Sequence, residues 1–187
     1  MNSDKGCIGV VPLGEVPLIA AQFVADRIHS LLHLPAKILP AIGNPSYAYD
    51  KRKLQYNAAT IIKALESMAF KDCTKVLALT NVDLFIPVFT HVFGEAREGG
   101  KHAVVSLYRL GKNLDGSHSA PPQNLDRLAK VALHELGHLF NGYHCADEKC
   151  IMRFSVNVQE LDDTPLCFCK YCTAFLSNSI KTSLQHG

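Results

Sequence analysis

The chain has 187 residues, 48% of them hydrophobic, with 19 basic and 17 acidic side chains and a net charge of +2. This length suits a single domain, residues 1–187, built around one hydrophobic core. The balanced charge argues against nucleic acid as a partner, and no apolar run reaches the roughly 20 residues of a membrane-spanning helix. The first residues also lack the apolar stretch of a signal peptide, so we expect a cytoplasmic monomer that does not bind membranes.

The first half of the chain alternates between predicted strands and predicted helices. Short apolar runs predict strands at 7–13, 36–42 and 75–80. Apolar residues at helical spacing predict helices at 17–33 and 54–70. Strands that alternate with helices form mostly parallel sheets, so the expected fold class is α/β (α+β).

The second half begins with two strand-like runs, 84–93 and 103–110, which are separated by glycines. One of them is expected to run antiparallel at the edge of the sheet. A loop rich in Gly, Ser and Pro is predicted at 111–123, followed by a helix at 124–141. The sequence thus predicts one domain with a twisted, mostly parallel sheet and an antiparallel edge strand, backed by helices.

The helix predicted at 124–141 carries His134 and His138 four residues apart, so both imidazoles lie on one face and can bind one metal ion. Glu135 lies beside the first histidine and can accept a proton from water on that metal. We expect Gly142 to end the helix in the left-handed conformation, which would bring His144 to the metal as third ligand. Three histidines leave a fourth position open, which is typical of a catalytic zinc site.

Five of the seven cysteines lie in the segment 145–172. Such clustering favours metal binding in a reducing compartment over disulfides. Four thiolates with no open position are typical of a structural zinc site, so we expect a second zinc ion here. The nearby Cys167 leaves open whether it also takes part. The ligands that we expect are Cys145, Cys150, Cys169 and Cys172.

The motifs at 134–172 resemble those of a known enzyme family. The run from His134 to His144, with Gly142 taken as its glycine, resembles the metzincin signature. A Cys-x4-Cys-x-Met segment ending at Met152 and a later Cys-x2-Cys pair follow it. This combination resembles the archaemetzincin (archaelysin) family of metzincin zinc metallopeptidases, in which the methionine lies in a turn beneath the metal.

The resemblance implies a compact metzincin-like domain with an active-site helix below a cleft and an edge strand above it. Region 84–94 would supply that strand, to which an extended peptide could add. The resemblance also implies two zinc ions per chain, one catalytic and one structural.

We therefore expect a zinc metallopeptidase that hydrolyses peptide bonds in a peptide or protein substrate, with Glu135 as the catalytic base. An alternative is a non-catalytic, zinc-stabilised module that binds a peptide or protein, although such a module has no need of Glu135. Hydrolysis of another amide is a third possibility. The first predicted strand starts at residue 7, which leaves no room for an inhibitory propeptide and suggests a narrow cleft, weak activity or small peptide substrates.

Overall fold

The computed structural model describes residues 6–185, so residues 1–5 and 186–187 of the predicted domain lie outside it. The strands are β1 (Cys7–Leu13), β2 (Ala36–Ile38), β3 (Tyr49–Asp50), β4 (Gln55–Asn57), β5 (Cys73–Thr80), β6 (Leu84–Ile86), β7 (Phe89–Val92), β8 (Gly94–Ala96) and β9 (His102–Ser106). The helices are α1 (Leu18–Leu32), α2 (Ala58–Glu66), α3 (Pro121–Leu139), α4 (Val158–Asp163) and α5 (Lys170–Gln185). None of these helices is long and apolar enough to cross a membrane.

The main sheet has five strands in the order β2–β1–β5–β9–β8. The first four run parallel, and β8 pairs antiparallel with β9 at the edge. This confirms the prediction of a mostly parallel sheet with an antiparallel edge strand. A smaller sheet, β3–β4–β6–β7, lies beside it.

The edge strand lies later in the chain than predicted. The run 84–93 folds as a hairpin of β6 and β7 within the smaller sheet, and of region 84–94 only Gly94 belongs to β8. Pro87, which has no backbone N–H, lies in the turn between β6 and β7, next to the strongly exposed Val88. The prediction of one continuous strand was therefore wrong.

Helices cover both faces of the main sheet. Leu77 and Val105 belong to the apolar core that includes α1 and α3. Val76 and Val104, their neighbours along the same strands, belong to a second core with α2. Successive side chains of a strand point to opposite faces, so the continuous apolar runs in β5 and β9 follow from burial on both sides.

Several predicted boundaries shift for local reasons. The helix predicted at 54–70 is shortened to α2, because Leu54 adopts a left-handed φ of 55° and the Asn57 side chain caps the helix by accepting from the Thr60 amide. Conversely, α3 begins at Pro121, inside the predicted loop 111–123, because proline fits the first turn of a helix. Strands predicted at 36–42 and 103–110 are shorter, as β2 and β9.

Candidate active site

Helix α3 and the turn that follows it bring three histidines together. The ring centroids of His134 and His138 are 4.7 Å apart, and those of His134 and His144 are 5.2 Å apart. One nitrogen from each of the three rings lies within 4.8 Å of the others. Spacing of four residues on one helix face explains the first pair, and the turn after α3 returns the chain to supply the third ring.

Backbone carbonyls hold two of the rings in the orientation that a metal ion needs. His134 Nδ1 donates to the Ile151 carbonyl at 2.8 Å, and His138 Nδ1 donates to the Gly142 carbonyl at 2.7 Å. Both Nε2 atoms therefore carry free lone pairs, and they face each other at 3.0 Å. Ideal tetrahedral zinc would place two such nitrogens about 3.3 Å apart, so these residues fit zinc.

Burial favours the neutral, metal-binding form of His134 and His144. It lowers the pKa of His134 to about 3. The pKa of His144 is also lowered, first by burial and then by the neighbouring His138. Neutral imidazole is the form that binds a metal ion, so the site is electrostatically ready for one.

Glu135 lies on α3 beside the histidines and against the edge strand. A Cβ atom at Gly94 would lie 2.8 Å from its Cγ, so the glycine allows the strand to pass close to this side chain. Burial raises the pKa of Glu135 well above its ordinary value, and the nearby charge of Glu95 adds to this effect. A desolvated carboxylate is a stronger base than one in water, which suits a residue that removes a proton from water.

The prediction that Gly142 ends the helix in the left-handed conformation was wrong. Asn141, not Gly142, takes the left-handed conformation, with φ of 62°. Counted from His138, Asn141 also occupies the position that the metzincin signature assigns to glycine. Asparagine tolerates this conformation better than most residues with side chains, so it turns the chain here.

Met152 packs against Gly137, which lies between His134 and His138 on α3. Met152 is 1% exposed. Its backbone is held in place because the Cys145 amide donates to the Met152 carbonyl at 2.8 Å. A Cβ atom at Gly137 would overlap the Met152 sulfur. The glycine within the histidine motif therefore allows the turn containing Met152 to pack directly against α3.

Four cysteines form a second cluster next to the first. The Sγ atoms of Cys145, Cys150, Cys169 and Cys172 all lie within 4.8 Å of one another. The Cys145 and Cys169 sulfurs are 3.8 Å apart, and zinc–sulfur bonds of about 2.3 Å at tetrahedral angles give roughly the same separation. The cluster therefore fits a closed zinc site.

Backbone amides point at these sulfurs. The Cys169 amide donates to Cys150 Sγ at 3.3 Å, and the Cys172 amide donates to Cys169 Sγ at 3.5 Å. The latter bond lowers the pKa of Cys169, which favours the thiolate. Cys167 has an exposed thiol outside the cluster, and its carbonyl instead accepts from the Ile151 amide at 2.9 Å.

Comparison with known proteins places the chain in a family. The family model described as Peptidase family M54 matches residues 21–178. The chain belongs to peptidase family M54. The archaemetzincin of Pyrococcus furiosus is 35% identical over 98% of both chains, and that of Methanocaldococcus jannaschii is 34% identical over 88% of this chain and 89% of the relative.

Solved structures agree with this assignment to family M54. The crystal structure of the archaemetzincin from Methanopyrus kandleri matches with a TM-score of 0.85 and 31% identity, and the match covers 97% of this chain and 98% of that one. A zinc-dependent peptidase from Methanocorpusculum labreanum matches with a TM-score of 0.80 and 28% identity over 90% and 99%. The M54 chain is thus a zinc metallopeptidase, and the predicted family and fold are confirmed.

The histidines of the M54 domain open onto a cleft of about 460 Å³ between β8 and α3. Its lining includes two exposed aromatic rings, Phe89 and Phe154, whose centroids are 5.8 Å apart. Phe154 also lies 5.1 Å from the ring of His144. An aromatic side chain of the cleft lining therefore lies directly beside the third histidine.

Two features of the cleft in the M54 domain escaped the sequence analysis. The carbonyl of Ile151 orients His134, but a backbone acceptor has no signature in a sequence. Lys130 lines the cleft although it is buried, and its position one helical turn before His134 on the same face was a detectable signal. A charged residue among apolar ones on the buried face of a helix always requires a partner or a role.

Proposed function

We propose that the chain cleaves peptide bonds with Glu135 as general base and with zinc held by His134, His138 and His144. The second zinc of this proposal is held by Cys145, Cys150, Cys169 and Cys172. Bound zinc supplies the Lewis acidity that polarises the scissile carbonyl and acidifies water. The observation that carries the proposal is the buried Glu135 carboxylate beside three inward-facing imidazole nitrogens.

The chain's own residues perform the remaining tasks. Glu135 accepts the proton of the attacking water and, within the same cleft, passes it to the leaving amine. Among residues 6–185, β8 is the terminal strand of the main sheet, and its outer edge can bind an extended peptide as an added strand. We further propose that the protein works on peptides as a monomer. We also propose that it works in the cytoplasm, because seven cysteines without a disulfide suit a reducing compartment.

Mass-spectrometric detection of cleavage in a diverse peptide library tests the proposal. Wild type is compared with Glu135→Ala at matched zinc content, and exposed Glu148→Ala is the control. We expect cleavage by wild type and the control, and a loss of about 100- to 10,000-fold in Glu135→Ala, because this is the usual contribution of a general base. Unchanged cleavage by Glu135→Ala would contradict the assigned base.

The same experiment decides between this proposal and the alternatives. If no peptide is cut while both sites hold zinc, a non-catalytic binding module explains the chain better. Cleavage of small amides but not of peptides would indicate a different amidase.

A further inference from the structure

Lys130 is a buried cation in the wall of the cleft, and the proposed chemistry does not use it. Its side chain is 6% exposed. It lies on α3 four residues before His134, which is one turn, or about 5–6 Å, from the histidine site along the helix. Lys130 and the histidines line the same cleft. We call the part of the cleft lined by Lys130, Val131, Leu161 and Thr164 the recess.

The ammonium group of Lys130 has one donor to spare. Nζ contacts the Asp126 carboxylate at 2.6 Å and donates to the Leu161 carbonyl at 2.8 Å. An ammonium has three N–H donors, so the third lacks an acceptor among residues 6–185. A buried donor without an acceptor costs free energy, which a bound ligand oxygen would recover.

Lys130 is the more deeply buried partner of its ion pair. The Asp126 side chain is 42% exposed, so solvent screens its charge, whereas the ammonium is almost fully enclosed. Arg153 adds a second cation to the same lining. The acidic residues of the lining lie elsewhere, on α3 at Glu135 and on or just after β8 at Glu95 and Glu98.

The rest of the recess is shaped for the stem of a side chain. Val131 follows Lys130 on α3, and Leu161 and Thr164 come from α4 and its C-terminal end. A substrate side chain with an apolar stem and an anionic tip therefore matches both the side walls of the recess and the Lys130 ammonium.

We propose that Lys130 is a specificity-determining residue, and that the recess selects peptides with a carboxylate side chain, glutamate above all, next to the cleaved bond. This inference rests on the proposed peptidase function for its biological meaning. Its physical content, preferential binding of an acidic side chain, can be measured without cleavage.

The first test measures kcat/KM for paired peptides that differ only by glutamate or methionine beside the bond that the library shows to be cut. Wild type should prefer glutamate by about ten-fold, as expected for one charge-assisted hydrogen bond. Lys130→Met should abolish the preference, and Lys63→Met, which removes an exposed lysine from α2, should retain it. Equal rates in wild type, or a preference that survives in Lys130→Met, would overturn the inference.

A second variant covers the case in which Lys130→Met does not fold. Asp126→Asn leaves the ammonium in place and weakens its competing partner, so the preference for glutamate should increase. A decreased preference in this variant would count against the inference.

Binding separates this inference from the peptidase proposal. In a Glu135→Gln background, fluorescence polarisation with two labelled peptides that differ only by glutamate or methionine at one central position should show about ten-fold tighter binding of the glutamate peptide. Adding Lys130→Met should remove the difference. If wild type cuts neither peptide but this difference holds, the recess is confirmed and the peptidase proposal fails; equal affinities would overturn the recess.

Discussion

Gly142 illustrates how one residue serves the site through its backbone. Its amide donates to the Gly137 carbonyl at 2.8 Å, and its carbonyl accepts from His138 Nδ1 at 2.7 Å. A Cβ atom on Gly142 would lie 2.8 Å from the same Gly137 oxygen and 3.2 Å from its carbon. Glycine is therefore needed here because the turn passes so close to α3.

Replacing Gly142 with alanine should thus destabilise the protein by about 1–3 kcal/mol, because backbone atoms of α3 must move to admit the methyl group. Chemical denaturation gives the free energy of unfolding, and zinc titration shows whether His138 still binds with full affinity. Gly43→Ala is the matched control, because nothing lies within 4 Å of its Cβ position. Equal stability of the two variants would show that the close approach is unimportant.

At the scale of elements, Arg127 ties α4 and the loop before α3 to α3 itself. Its side chain is 1% exposed and makes two hydrogen bonds to Asp162 of α4, at 2.7 and 2.6 Å. It also donates to the carbonyl of Leu110 at 2.8 Å and to the side chain of Asn113 at 3.0 Å. Since α4 forms a wall of the recess at Lys130, this network positions the recess.

The Arg127–Asp162 pair should make stability depend on pH. The hydrogen bond from Arg127 lowers the pKa of Asp162 below its ordinary value of 3.8. The carboxylate thus stabilises the fold above pH of about 4, and this contribution is lost as pH falls through the lowered pKa.

We expect Asp162→Asn to lower the unfolding free energy at pH 7 by about 2–4 kcal/mol, since it leaves a buried guanidinium without a counter-charge. The difference from wild type should shrink towards pH 3, and denaturation at several pH values measures it. The exposed neighbour Asp163→Asn is the control. A difference that stays constant with pH would show that the charge of Asp162 is not the cause.

At the scale of the whole molecule, the two ligand clusters share one segment of backbone. Cys145 directly follows His144, and its amide is bonded to the Met152 carbonyl. Between them, the Ile151 carbonyl orients His134, while the Ile151 amide donates to the Cys167 carbonyl. Whatever holds the cysteine segment in place therefore also orients a ligand of the histidine site.

The double variant Cys169→Ser, Cys172→Ser should accordingly lose the second zinc and at least about 3 kcal/mol of stability, or roughly 10 °C in Tm. Hydrogen exchange should become faster in 145–172, and zinc should bind more weakly to the histidines. Cys167→Ser is the control and should match wild type, because its thiol lies outside the cluster. Full zinc content and an unchanged Tm in the double variant would contradict this coupling.

The sequence by itself determined which side chains form the two clusters that could hold metal ions, and the class of fold. Helical periodicity places His134 and His138 on one face, and short spacings place the two cysteines of each pair within reach of one another. The tertiary structure then brings the two cysteine pairs together. The parallel sheet followed from the alternation of strands and helices.

Only the tertiary structure decided the features that depend on contacts between distant segments. The position of the edge strand at β8, the close approach that requires Gly142, and the Ile151 carbonyl at His134 are of this kind. Lys130 belongs with them, because its role depends on Leu161 of α4 and on the walls around it. Local periodicity predicts which face of an element a side chain occupies, but the partner on that face is set by how the elements pack.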